Sequence, residues 1–210
     1  MELDEVEKCL QELDICFCYA IKHHPALRFA GPIRKDLGVP TVFNLLGPLT
    51  NPAGAKSQLI GVPNVELTSK IAQVLKRLGS ERVLVVHGYD GLCELTVTSP
   101  THVAELREGN IKEYEVTPEQ LGLKMGKLEE ISIDTPEDSA GIMERIFSGD
   151  EKGTAREIAL ANAAGALVVS GQVENLEEGV DLAAKTVDNG KAAEKLNDLI
   201  NFSWANHQAK

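Results

Sequence analysis

Aromatic side chains are scarce in this 210-residue chain: they make up 4 % of it, with a single Trp. Since 43 % of the residues are nevertheless hydrophobic, the core has to be aliphatic and alanine-rich, which suits helices packed on a sheet. Long apolar runs are missing too. None reaches the roughly 20 residues that span a bilayer, and the acidic N-terminus has the make-up of neither a signal nor a transit peptide. A soluble cytoplasmic protein without membrane contact is expected. Positive charge is in deficit, with 21 Lys and Arg against 32 Asp and Glu, a net −11. That balance argues against nucleic acid as a partner. It leaves a small anionic substrate open, because one local arginine outweighs the total. The four cysteines, Cys9, Cys16, Cys18 and Cys93, follow no disulfide framework and read as free thiols in a reducing compartment. There is no Gly-x-Ser-x-Gly elbow, Walker loop or dinucleotide fingerprint, and no Ser or Cys has a base at motif spacing. Covalent catalysis is not suggested.

What is present is an ordered run of elements. Leu3, Val6, Leu10 and Leu13 recur at helical spacing. Pro25 can open a second helix carrying Ala26, Leu27, Ala30 and Ile33, with Gly31-Pro32 as a kink and Gly38-Val39-Pro40 as its end. The segment TVFNLLGPLTNPAG, Thr41 to Gly54, is apolar but punctuated by Asn, Gly and Pro, as a buried irregular hinge or pocket wall would be. Then the texture becomes strand (Gln58–Val62), helix and strand (Arg82–Val86). Asn64 is the expected cap of that helix, and Leu67, Ile71, Val74, Leu75 and Leu78 its inner face. A β-α-β unit makes parallel strands with a right-handed crossover. Both strands then end on the side where open α/β sheets bind ligands. Thr101 to Val116 alternates around Gly109-Asn110 as a hairpin with a two-residue turn. Asp134-Thr135-Pro136 caps a further helix, AREIALANAAGALVVSG has small residues for close helix packing, and two helices follow, divided at Asn189-Gly190. The expected architecture is α/β: a mostly parallel central sheet flanked by helices, with a β-hairpin and a short N-terminal helical attachment. Residues 1–50 read as the helical segment and hinge, and 51–210 as the α/β domain.

Two stretches could carry chemistry. HHPALRFAGPIRKDLG holds His23, His24, Arg28, Arg34 and Lys35. Its plain reading is a polar helix start with a solvated basic face. Its sharper reading is carboxylate recognition, since a guanidinium fork matches a carboxylate bidentately. Adjacent histidines do not make the helix-face metal pair, which needs a spacing of three or four. HGYDGLCEL, His87 to Leu95, leaves the ligand side of the sheet with Asp90, Cys93 and Glu94. A loop carboxylate is most often merely solvated, but its place after a parallel strand favours a site. Mg²⁺ wants hard oxygen donors shared with substrate phosphates, and a thiol is a poor substitute.

The string HHPALRFAGPIRKDLGVPTVFNLLGPLTNPAGAKSQLIGV resembles the centre of the anthranilate phosphoribosyltransferases. VLVVHGYDGLCEL, EDSA and NAAGAL extend the match over nearly the whole chain. The resemblance implies a pentosyltransferase of tryptophan biosynthesis. Ribose 5-phosphate passes from phosphoribosyl pyrophosphate to the amine of anthranilate, with Mg²⁺ as cofactor and no protein nucleophile. It further implies that Arg34 handles the anthranilate carboxylate, that His23, His24 and Leu27 line the anthranilate channel, and that Asn44, Gly47 and Pro48 form the hinge. No catalytic residue is assigned.

Two departures from the family pattern stand out. The family loop reads D-G-L-D-E, and its adjacent acidic pair binds magnesium; here Glu94 is kept and Cys93 replaces the aspartate before it. The family's N-terminal helical domain, its glycine-rich phosphate loop and its K-H-G-N-type motif are also without counterpart in this sequence. The expectation is a C-terminal part of the enzyme, close to inactive alone. Its open sheet edge would invite an N-terminal half or self-association. The alternatives are a non-catalytic binding or regulatory module that kept the fold, and a relative acting on another aromatic amine or nucleobase.

Overall fold

A computed structural model describes residues 2–19, 23, 36, 38–39, 46–51 and 53–208. In chain order the elements are α1 (Leu3–Leu13), β1 (Ser57–Gly61), α2 (Glu66–Arg77), β2 (Arg82–Gly88), β3 (Thr101–Arg107), β4 (Asn110–Val116), α3 (Pro136–Ser148), α4 (Thr154–Ser170), α5 (Leu176–Asp188) and α6 (Lys191–Gln208). The chain divides into two units: Ala55–Gly190, and Met1–Gly54 together with Lys191–Lys210. No helix among the described residues is long and apolar enough to cross a membrane.

Ala55–Gly190 is the α/β unit. Its sheet has four strands in the order β1-β2-β3-β4. β1 and β2 are parallel, in register from Ser57↔Arg82 to Gly61↔Val86, with α2 as the crossover. β3 and β4 add antiparallel pairs, so the sheet is mixed and its parallel part is the β-α-β unit. Val83, Leu84, Val85 and Val86 are all buried, because β2 is covered on both faces. Leu84 and Val86 join Leu160, Ala161 and Ala164 of α4 in one apolar cluster. Side-chain alternation sends Val83 and Val85 to the opposite face, and α2 packs against β2 and β3.

Local rules account for most boundaries. Thr135 accepts from the backbone N–H of Asp138 at 3.1 Å, with Pro136 opening α3 as expected. Asn175 caps α5 by accepting from the Glu178 N–H at 2.9 Å. Gly179 of α5 lies so close to α4 that a Cβ there would sit 2.8 Å from Ala164, the close helix approach that the small residues suggested.

Two expectations shift. α2 buries Thr68, Ile71, Ala72 and Leu75, whereas Val74 and Leu78 are exposed. The stripe through Thr68 and Ala72 is narrower, which lets the helix settle nearer the sheet, and the Thr68 hydroxyl meets His102 Nδ1 at 3.1 Å. The hairpin turn falls on Glu108-Gly109, one residue earlier than read, because Arg107 pairs with Asn110. Both turn residues adopt positive φ (52° and 74°), as a turn matched to strand twist requires.

In the other unit, α1 buries Val6 and Cys9, and α6 packs on it, with Lys195 Nζ donating to the Leu13 carbonyl at 3.1 Å. Gly47–Leu49 forms a single 3₁₀ turn closed by the Thr50 N–H on the Gly47 carbonyl at 3.2 Å. The helix expected from Pro25 and most of the Thr41–Gly54 connection lie outside the described residues.

Candidate functional site

The parallel strands β1 and β2 end side by side, and the chain from β2 folds back across their ends before entering β3. His87 belongs to β2 and not to the loop. It is buried, and its Nδ1 donates to the Val62 carbonyl at 2.9 Å, which fixes the ring's tautomer because a carbonyl only accepts. The Val62 N–H donates to the Val86 carbonyl at 3.0 Å, so strand-like pairing continues one step past Gly61.

From Gly88 the loop closes on itself. Gly88 N–H donates to Leu92 O at 2.8 Å, and Gly91, at φ 93°, donates to Gly88 O at 2.9 Å. Asp90 sits at the centre of this turn as an acceptor. Its Oδ1 takes the Leu92 N–H at 3.0 Å; its Oδ2 takes the Thr96 hydroxyl at 2.6 Å and the Thr98 hydroxyl. Its own N–H donates to Ser99 Oγ at 3.0 Å. Burial pushes the Asp90 carboxyl up, but the hydrogen bonds from Thr96, Thr98, Leu92 and Ser99 prevail and leave it below the ordinary aspartate range. Asp90 is therefore a loop anchor with its oxygens engaged.

Cys93 and Glu94 form the apex. The Cys93 backbone lies across Gly61 of β1: a Cβ there would stand 1.5 Å from the Cys93 carbonyl oxygen. The Cys93 thiol is exposed, as is Glu94. Partial desolvation, and then the Asp90 charge, raise the Glu94 carboxyl above its ordinary value.

Beyond the apex, Asn162 of α4 grips the chain. Its Oδ1 accepts from the Leu95 N–H at 3.1 Å, and its Nδ2 donates to Leu95 O at 2.8 Å, Ile158 O at 2.9 Å and Glu94 Oε2 at 3.3 Å. One turn on, Gly165 leaves room for Leu95, whose Cδ1 would be 2.9 Å from a Cβ there. Thr96, Thr98, Gly61 and Asn162 were not singled out from the sequence as site residues. The one signal was Asn162, a lone amide among small apolar residues in ANAAGA.

The expected site residues fall as follows. Cys93 and Glu94 are adjacent at the apex, beside Asp90. Gly47 and Pro48 lie in the 3₁₀ turn of the other unit, and His23, half-buried there, donates its N–H to Tyr19 O at 3.2 Å. His24, Leu27, Arg34 and Asn44 lie outside the described residues. Among the described residues no three His, Cys, Asp or Glu side chains converge as a metal cage. One hard carboxylate at the mouth of the parallel strands, with hydroxyl-saturated Asp90 behind it, does fit a Mg²⁺ that brings its remaining donors on a phosphorylated substrate. The Cys93 thiol does not fit that ion.

Comparison with known proteins gives a consistent picture. Residues 1–193 match the family described as the glycosyl transferase family, a/b domain. Over 200 residues the chain is 44 % identical to the anthranilate phosphoribosyltransferase of Nitrosomonas eutropha, covering 95 % of this chain and 58 % of that protein. The crystal structure of the Thermus thermophilus enzyme of that name superposes with a TM-score of 0.87 at 39 % identity, over 94 % of this chain and 58 % of the other. The Saccharomyces cerevisiae enzyme in complex with PRPP and Mg superposes at 0.88 with 27 % identity, over 98 % and 59 %. The chain thus spans less than two thirds of the length of the relatives it matches.

Proposed function

The chain belongs to the glycosyl transferase family, whose α/β domain it carries, and on that premise we propose that it supplies part of the site of an anthranilate phosphoribosyltransferase. The reaction moves ribose 5-phosphate from phosphoribosyl pyrophosphate to the amine of anthranilate, a step in tryptophan biosynthesis. The observation that carries this reading is Glu94, a lone hard carboxylate held at the apex of a braced loop where β1 and β2 end. The similar yeast enzyme, in complex with PRPP and Mg, supports it.

On this reading Glu94 holds Mg²⁺ together with the pyrophosphate of the substrate. Bound there, the ion neutralises charge on the departing pyrophosphate. The chain's own contribution is placement: Asp90 ties the loop through Leu92, Thr96 and Thr98, so that the Glu94 carboxylate would meet the substrate-borne ion without rearrangement. Arg34 pairs with the anthranilate carboxylate through its guanidinium fork, and His23, His24 and Leu27 line that substrate's path. Residues 1–50 act as helical segment and hinge, with Asn44, Gly47 and Pro48 in the hinge; the α/β part follows it, and α6, which packs on α1, goes with the helical segment. No protein nucleophile is required. Phosphorylated sugars do not cross membranes unaided, so the reaction belongs in the compartment that makes its substrate, on this reading the cytoplasm.

Turnover by the chain alone is expected to be near zero. A polypeptide corresponding to the remaining part of a relative, such as the Thermus thermophilus enzyme, is expected to restore it. The test is pyrophosphate release from phosphoribosyl pyrophosphate, anthranilate and Mg²⁺, with the chain alone and mixed with that polypeptide. Turnover in the mixture supports the reading; none in any mixture, including one with Cys93→Asp, overturns it. Cys93 itself favours a second reading, a non-catalytic module that binds a ligand or protein through the same fold. Specific binding without rescued turnover would select it.

A further inference from the structure

We propose that Asn162 is a positioning residue for Glu94, holding its carboxylate ready for a divalent cation carried by a pyrophosphate; this rests on the functional reading above and names a residue that acts through another. Asn162 bonds both the N–H and the C=O of Leu95, at 3.1 and 2.8 Å, as a neighbouring strand would. That pair of hydrogen bonds sets the backbone directly after Glu94. Leu95 is further locked by burial, at 1 % exposure, and by the space Gly165 leaves on the same face of α4.

The third contact is the informative one. Nδ2 carries two N–H groups and faces three acceptors, of which Glu94 Oε2 is the most distant at 3.3 Å. The bond to Leu95 holds the chain, and the one to Ile158, four residues back on α4, fixes the amide's own orientation; the long one aims the carboxylate while leaving most of its lone pairs for a cation. On the other side of the apex, Asp90 ties Leu92, Thr96 and Thr98, and the Cys93 carbonyl rests on Gly61. Glu94 is therefore a side chain on a strut braced at both ends. Asn162 is the brace that also touches the carboxylate. Residues that orient a metal ligand commonly change metal affinity by about 10–100-fold when removed.

The experiment measures binding of Mn²⁺ with inorganic pyrophosphate to the full chain by water proton relaxation. Wild type, Glu94→Gln, Asn162→Ala and Asn162→Ser are compared, with thermal melts of each. Asn162→Ala and Asn162→Ser should weaken binding by about tenfold or more, at a fold content equal to wild type. In wild type the Asn162 side-chain amide resonances should shift on addition of Mg²⁺ and pyrophosphate, and in Glu94→Gln they should not. That measurement needs no Asn162 variant, so a variant that fails to fold does not rescue the idea. If Glu94→Gln loses binding while both Asn162 variants bind as wild type does, Glu94 stands as the ligand and the inference about Asn162 falls alone. If wild type binds no better than Glu94→Gln, the reading of Glu94 falls and takes this inference with it.

Discussion

The carbonyl of Cys93 crosses Gly61 so closely that a methyl group on Gly61 would lie 1.5 Å from its oxygen. No rotamer change relieves such a clash, because a Cβ is fixed by its own backbone and the carbonyl oxygen belongs to the other. Gly61→Ala should therefore push the Cys93-Glu94 apex off the end of β1. The stability loss is expected at the upper end of the about 1–3 kcal/mol typical of overpacking, read from chemical denaturation. A variant as stable as wild type would show that the loop does not rest on β1.

The thiol at the apex is a soft group where the family pattern has a hard one. Cys93→Asp is expected to tighten Mn²⁺–pyrophosphate binding by about tenfold or more, since it adds both a charge and an oxygen donor. Calorimetric titration would measure it. An unchanged constant would place position 93 away from the ion.

Acid should act on Asp90 and Glu94 in opposite senses. The Asp90 carboxyl lies below its ordinary value because hydroxyl and amide donors outweigh burial, so its stabilisation is complete above the unfolded value of about 3.9. It is lost as pH falls through the lower folded value. Asp90→Asn should therefore flatten the acid limb of the stability curve. The Glu94 carboxyl, exposed but partly desolvated, is raised by that desolvation and then by the Asp90 charge, so its charge opposes folding at neutral pH and protonation relieves it. Glu94→Gln should accordingly melt above wild type at pH 7 and converge with it at acid pH. A lower melting point at pH 7 would contradict this.

The four thiols should separate by reactivity. Cys93 is exposed. Cys9 is buried, donates to Ile15 O at 3.2 Å, and has its thiol raised by burial and then by Glu12. Brief alkylation followed by mass mapping should find Cys93 modified first and Cys9 last. Equal rates would mean that the Cys9 environment opens readily.

Several features were legible in the sequence. The β-α-β unit, the hairpin and the Thr135-Pro136 helix start all carry short-range signals: apolar runs, alternation, a capping hydroxyl before proline. The site was half legible. Glu94 and Cys93 stood out because a loop after a parallel strand is a ligand position, and because the family string gave them a register. The inner face of α2 was legible at Ile71 and Leu75, which are buried, but not at Val74 and Leu78, since two overlapping stripes satisfy the helical period and only the sheet chooses between them. Choosing Thr68 and Ala72 over Val74 and Leu78 gains closeness at the expense of two exposed apolar residues.

The order of elements and the residue types at the apex followed from the sequence by itself, because both are written in neighbouring residues and in one long, specific string. Tertiary structure alone decided what braces that apex. Asn162 reaches Leu95 and Glu94 across 67 and 68 positions of chain, and Gly61 is matched to Cys93 from another strand. An amide or a glycine at such a distance leaves no periodic mark in the sequence. Its partner is set by how α4 and β1 are brought together in the α/β core, which is a property of packing.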